Sequence, residues 1–187
     1  MQFQQLGILG LVAIQPARRG DARGYFAETF RADLFADAVG ATHFVQDNES
    51  LSAAVGTVRG LHFQTAPFAQ GKLVRCAAGA LLDVAVDIRH GSPTYGHWVS
   101  VELSASNGRQ LWVPPGFAHG FCTLTPATVI SYKVTAFYSA EHDTGLAWND
   151  PAVAVEWPDL AEPDTLSAKD RVQPKLAELP AHFTYEG

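Results

Sequence analysis

The sequence predicts an all-β fold, and three observations carry that reading. Alternation of apolar and polar residues with a period of two dominates the middle of the chain. Short segments rich in Gly, Pro, Asn and Ser punctuate the alternating runs at regular intervals. Helical periodicity is confined to two short stretches towards the ends. Many short strands joined by regular turns close into a sandwich or a barrel. No Gly/Ser linker, low-complexity tract or fixed-period repeat divides the chain. Residues 1–187 are therefore expected to form a single jelly-roll β-barrel domain with short peripheral helices.

Taken in order, the elements begin with the apolar run Leu6 to Ile14, read as a strand. No Lys or Arg precedes it, and Gln15, Pro16 and Ala17 do not make a small-x-small cleavage site, so a secretory leader is not expected. Phe30 to Ala38 reads as a short helix. In LDVAVDIR, Leu82, Val84, Val86 and Ile88 share one face of a strand; Asp83, Ala85, Asp87 and Arg89 share the other. In WVSVEL, Val99, Val101 and Leu103 alternate with Trp98, Ser100 and Glu102. Turns are expected at 90–96 (HGSPTYG), 104–109 (SASNGR) and 114–116 (PPG). Ser167 to Leu179 reads as a second helix.

Composition narrows the function classes. A net charge of −6 argues against general nucleic-acid binding, which calls for a basic excess. No run approaches the roughly 18 apolar residues of a membrane helix. Cys76 and Cys122 lie in apolar stretches without C-x-x-C spacing, as expected of buried free thiols in a reducing compartment. A soluble, cytoplasmic protein is expected, with room for a small anionic ligand where basic residues cluster.

Two motifs carry the chemistry. Gly108 to His119, GRQLWVPPGFAH, reads Gly, five residues, Pro-x-Gly, two residues, His, and resembles the second motif of the cupin β-barrel. Gly56 to Gln64, GTVRGLHFQ, fits the first cupin motif as far as His62 and then departs from it. A metal cupin has His-x-His there and a Glu a few residues on; this chain has Gln64, and no Glu before Glu102. Two of the usual four ligands are missing, so no metal is expected. His62 is then free for other work, with Arg59 before it and Lys72 after it.

Each candidate has a plainer rival reading. His62 is either a core histidine satisfied by backbone or a base. In an ideal strand Arg59 and His62 point to opposite faces; a bulge at Gly60 would turn both inward. Lys72 is either a solvated strand end or an ammonium facing an anion that develops inside the barrel. Tyr132 shares a face with Ile130 and Val134, as a tethered core residue or as a general acid. Tyr138 carries the same ambiguity. Ser167-x-x-Asp170 resembles a capping box, yet Asp170 could equally orient an imidazole. Arg23 and Glu28 lie in a glycine-rich loop where charges are usually solvated. His119, without the first motif's ligands, is expected to hydrogen-bond a ligand or phosphate.

Together, DARGYFAETF (21–30), FVQDNES (44–50), TVRGLHFQ (57–64), QGKLVRC (70–76), LDVAVDIR (82–89), RQLWVPPGFAHGF (109–121), SYKVTAFY (131–138) and LSAKD (166–170) resemble the dTDP-4-dehydrorhamnose 3,5-epimerase family over nearly the whole chain. The resemblance implies a cofactor-free jelly-roll homodimer acting on a nucleotide-sugar. By motif it implies His62 as base, Asp170 as its dyad partner, Lys72 beside the C4 oxygen of the sugar and Tyr132 as proton donor on the opposite face. It further implies substrate contacts from Arg23, Glu28, Gln46, Asp47, Asn48, Arg59, His119, Tyr138, Asp143 and Lys169. Asp143 stands where the family commonly has Glu, one methylene shorter. Three other readings stay open at this level: a relative that inverts only C3 or only C5, a metal-dependent cupin oxygenase, and a non-catalytic sugar-binding cupin.

Overall fold

The computed structural model describes residues 1–187. Two antiparallel hairpins open the chain, β1 (Gln2–Gln5) with β2 (Val12–Gln15), then β3 (Arg18–Asp21) with β4 (Gly24–Ala27). The helix α1 (Ala32–Val39) follows. The barrel strands are β5 (Gln46–Ser52), β6 (Val58–Gln64), β7 (Lys72–Ala78) and β8 (Ala80–Asp87). After the short β9 (Arg89–His90) come β10 (Trp98–Ser104), β11 (Gln110–Val113), β12 (Phe117–Thr123), β13 (Thr128–Val134) and β14 (Asp143–Gly145), with β15 (Phe183–Thr184) near the C-terminus.

A six-stranded sheet in the order β1-β2-β11-β7-β13-β5 faces a five-stranded sheet in the order β10-β8-β12-β6-β14. Every pairing within these two sheets is antiparallel, which makes the jelly roll expected from the alternation. Val74, Cys76 and Ile130 from one sheet meet Leu81, Leu103 and Phe121 from the other to fill the space between them. Both outer faces are also covered in part. Phe35 of α1, 2% exposed, packs on Val12, Ile14, Leu73 and Trp112. An eight-residue helix is too short to stand alone, and burying this one ring contributes on the order of 2 kcal/mol to docking it. The segment after β14 covers the other sheet, where Trp157, Leu176 and Phe183 pack on Leu61, Phe63, Val84 and Val86.

Two of the expected elements take a different form. The run Leu6 to Ile14 is not one strand: the chain turns at 7–10, where Gly10 has φ +101°, and enters β2 only at Val12. Ser167 to Leu179 is not a helix but two single 3₁₀ turns, Asp170–Val172 and Leu176–Glu178. The residue that ends the first turn, Gln173, is extended (φ −63°, ψ 143°) because Pro174 follows and disfavours the α conformation. The first helical expectation holds, with α1 beginning two residues later than the periodicity implied.

Candidate functional site

The barrel opens beside β6, where β6 and β12 approach closely. Gly60 has φ +125°, and a Cβ there would lie 2.6 Å from the Gly120 Cα. The β6–β12 register is shifted between His119 and Phe121, opposite this residue. The irregularity does half of what the sequence reading required of it: His62 turns inward, whereas Arg59 stays exposed and does not line the cavity. His62 enters the cavity, and Arg59 reaches across to β5, donating from Nε to Ser52 Oγ and from Nη2 to the Leu51 carbonyl, both at 3.1 Å.

His62, Lys72 and Tyr132 line one cavity of about 170 Å³, together with Gln46, Asn48, Tyr138 and Asp143. His62 Nε2 lies 2.5 Å from Asp170 Oδ1, across 108 residues of sequence. Asp170 is 4% exposed. Burial alone would raise its pKa, but His62, the Ser167 hydroxyl and the Gly60 amide together hold it below the usual carboxylate value. It is therefore ionised at neutral pH and requires the proton on Nε2. The cap reading is satisfied at the same residue by a different atom, since the Asp170 amide donates to Ser167 Oγ at 3.1 Å.

Lys72 points inward with Val74 from β7 and donates to the His62 carbonyl at 3.2 Å. Burial pushes its pKa down to about 8; Asp143 and Asp83 oppose the fall, and Lys169 adds to it. The Tyr132 phenol is raised above its ordinary 10, chiefly by burial, against the pull of the Arg59 charge and with a further push from Asp143. At neutral pH the cavity thus holds a cation and a protonated phenol.

The mouth is tied by Asp143, which pairs with Lys169 Nζ and accepts from the Tyr138 hydroxyl at 3.2 Å. Tyr138, 61% exposed, offers its ring to the entrance. Gln46 accepts from the Tyr138 amide and donates to Asn48.

Other expected contacts fall elsewhere. Asp47 lies on the opposite face of β5 from Gln46 and Asn48, paired with Lys133 at 2.9 Å beside a separate outer cleft of about 190 Å³. Period-2 alternation forces that separation. Arg23, on the tip of the β3–β4 hairpin, is paired with Asp21 and its side chain is 89% exposed. Glu28 sits beyond the same hairpin against Arg31. Neither lines the His62 cavity. His119 is the cross-strand neighbour of His62, but its Nε2 is engaged by Asp83 Oδ1 at 2.7 Å.

Two residues were missed as site elements. Gln64, at the position of the second cupin histidine, is 3% exposed and spends its amide on structure. It donates to the Phe68 and Phe137 carbonyls and accepts from the Ser139 amide, tying two loops to the cavity wall. Asp83 is the other, and its signal was an acidic residue in the middle of an otherwise apolar stretch of β8. No group of three or more His, Cys, Asp or Glu side chains is placed to hold a metal ion.

Comparison with known proteins shows the family. The family model described as dTDP-4-dehydrorhamnose 3,5-epimerase matches residues 5–178. A dTDP-4-dehydrorhamnose 3,5-epimerase of Sinorhizobium fredii is 63% identical over 185 residues, covering 99% of this chain and 94% of the relative. The crystal structure of a dTDP-6-deoxy-D-glucose-3,5-epimerase from Legionella pneumophila, in complex with dTDP-4-keto-L-rhamnose, superposes with a TM-score of 0.93 at 41% identity over 100% of this chain and 99% of that one. A dTDP-4-dehydrorhamnose 3-epimerase of Streptomyces niveus is more distant, 37% identical over 95% of this chain and 85% of its own. With a family model that matches most of its length, near-full-length similarity to such relatives and a superposable fold, the chain belongs to the dTDP-4-dehydrorhamnose 3,5-epimerase family.

Proposed function

We propose that this protein inverts C3 and C5 of dTDP-4-dehydro-6-deoxy-D-glucose, giving dTDP-4-dehydro-L-rhamnose for dTDP-L-rhamnose biosynthesis, without a cofactor. The observation that carries the reading is the His62–Asp170 pair opening onto the same cavity as Lys72 and Tyr132. The C4 ketone of this sugar acidifies the hydrogens on C3 and C5. His62, its ring oriented by Asp170, removes one of them; the C–H electrons pass to the C4 oxygen as an enolate. The Lys72 ammonium stabilises that oxygen electrostatically. Tyr132, which keeps its proton at neutral pH because burial raises its pKa, returns a proton to the carbon from the other face and inverts it. His62 releases the abstracted proton to solvent, the phenolate regains one from solvent, and the ring turns to present the second carbon to the restored pair.

Arg59, Tyr138, Asp143 and Lys169 at the mouth are assigned to the nucleotide end, the guanidinium suiting a diphosphate. Gln46 and Asn48 are assigned to the sugar. His119 stands behind His62 and is assigned a supporting place. Arg23 and Glu28, remote from the cavity of their own chain, reach a nucleotide only if a second copy brings its hairpin to the mouth, which supports a homodimer. One jelly-roll domain over 1–187, located in the cytoplasm, completes the proposal. No helix is long and apolar enough to cross a membrane.

The test is incubation with the 4-keto sugar in D2O, following deuterium at C3 and C5 by NMR together with product configuration. Deuterium and inversion at both carbons are expected. Inversion at C3 alone would make the protein a single-site epimerase, and binding without exchange would make it a sugar-binding protein.

A further inference from the structure

Asp83 is 0% exposed, inside a barrel whose purpose requires a cation. It projects from β8 with Ala85, between the sheets, while the neighbouring Val84 and Val86 pack on the far side. Its Oδ1 accepts from His119 Nε2 at 2.7 Å, and its Oδ2 is buried without any hydrogen-bond partner. A carboxylate accepts only, so His119 Nε2 carries the proton of that bond. A buried unpaired carboxylate oxygen costs free energy, and such an atom at a reaction cavity calls for a reason.

Lys72 supplies one. Its ammonium has three protons and a single acceptor within the chain, the His62 carbonyl. The charged and titratable groups that surround it are few. They are His62 on β6, Asp83 on β8, His119 on β12, Tyr132 on β13, Tyr138 after it, Asp143 on β14, and Lys169 and Asp170 from the C-terminal segment; β5 offers only the neutral Gln46 and Asn48. Of the three carboxylates, Asp170 is matched to His62, and Asp143 is matched to Lys169. Asp83 alone keeps a free oxygen.

We propose that Asp83, fixed by His119, is a positioning residue that keeps the Lys72 ammonium charged inside the barrel. The inference rests on the epimerase reading for its purpose, because a neutral lysine cannot stabilise the enolate oxygen. It acts through space and needs no contact with substrate. His119 holds the carboxylate still, which also accounts for a cupin-motif histidine in a barrel that lacks the first motif's other ligands. The electrostatics agree: Asp83 is one of the two charges that oppose the effect of burial on Lys72.

The experiment compares the wild type with Asp83→Asn, in which shape is kept and charge removed. Lys72 ionisation is read in the ligand-free protein by NMR of ¹³C-labelled lysine, and kcat is measured against pH. In Asp83→Asn, Lys72 should lose its proton at least about half a pH unit lower, roughly a threefold change in proton affinity. The alkaline limb of kcat should move down with it, while activity at pH 6.5 stays near wild type. Tyr132 titrates higher, so it does not mask the limb. If Lys72 titrates as in wild type, or kcat falls equally at every pH, the proposal is overturned. Asp83→Ser, smaller and still able to accept from His119, is measured in the same way should the Asn variant not fold. If neither folds, the carboxylate is a folding determinant and the proposal is overturned. A wild type without epimerase activity would refute the proposed function; the ligand-free titration would still decide the coupling.

Discussion

Replacing Lys72 with Met should make the protein more stable and inactive. The ammonium is held where burial pulls its pKa from the ordinary 10.5 to about 8. That difference corresponds to about 3 kcal/mol by which protonated Lys72 favours the unfolded chain. Met fills a similar volume with an unbranched apolar chain. It also leaves the His62 carbonyl without the 3.2 Å donor, a loss of about 1 kcal/mol. The net expectation is about 2 kcal/mol of stabilisation at pH 7, or roughly 4–8 °C in Tm for a chain of this size. The sign fixes the pH window. A lysine whose folded pKa lies below its unfolded one destabilises fully below about pH 8, and the penalty fades as pH rises towards 10.5. Urea unfolding of both proteins at pH 7, 8.5 and 10 measures this directly. The advantage of Lys72→Met should be full at pH 7 and small or reversed at pH 10. A variant no more stable than wild type at pH 7, or an advantage that persists unchanged to pH 10, would refute the reasoning. The deuterium assay on the same samples should show exchange reduced by at least ~10²-fold, the scale of losing one electrostatic stabiliser.

The other predictions concern the base, the acid and the bulge. His62→Ala should abolish exchange at both carbons while nucleotide-sugar binding persists; Asp170→Asn should lower kcat by ~10² or more with little change in Tm. Adding Asp170→Asn to His62→Ala should cost nothing further, and additive losses in that cycle would show that the pair does not act as a unit. Tyr132→Phe should let deuterium enter with retained configuration while net inversion falls at least ~10²-fold; equal loss of exchange and inversion would limit Tyr132 to binding. Gly60→Ala should destabilise by ~2 kcal/mol or more, since it combines φ +125° with a Cβ 2.6 Å from the Gly120 Cα. Gly24→Ala, with φ +135° and nothing within 4 Å, isolates the backbone strain alone. Equal Tm losses for the two would mean that the close approach of β6 and β12 contributes nothing.

The all-β class, the turns and the inward face of Tyr132 were legible in the sequence, whereas the inward placement of His62 and Lys72 was left open. Alternation is a local property, imposed residue by residue by the pleat, and the motifs carry their own spacing. The strand LDVAVDIR shows where that legibility stops. Its two faces differ plainly, but only the packed molecule decides that Asp83 and Ala85 face the barrel while Val84 and Val86 lie beneath the C-terminal segment. Both faces of that sheet are covered, so apolarity marks burial without marking the inside. Alternation along β5 already separates Asp47 from Gln46 and Asn48, but only the packed molecule decides which of them face the cavity and leaves Arg23 and Glu28 outside it. Asp170 had two adequate local explanations, and its meaning depended on a partner 108 residues away. Gln64 read as an absent ligand, whereas its buried amide secures the loops on either side of the cavity. Near-neighbour geometry is written in the order of residues. Which carboxylate meets which imidazole is settled only when two sheets, joined by strands far apart in sequence, exclude water between them.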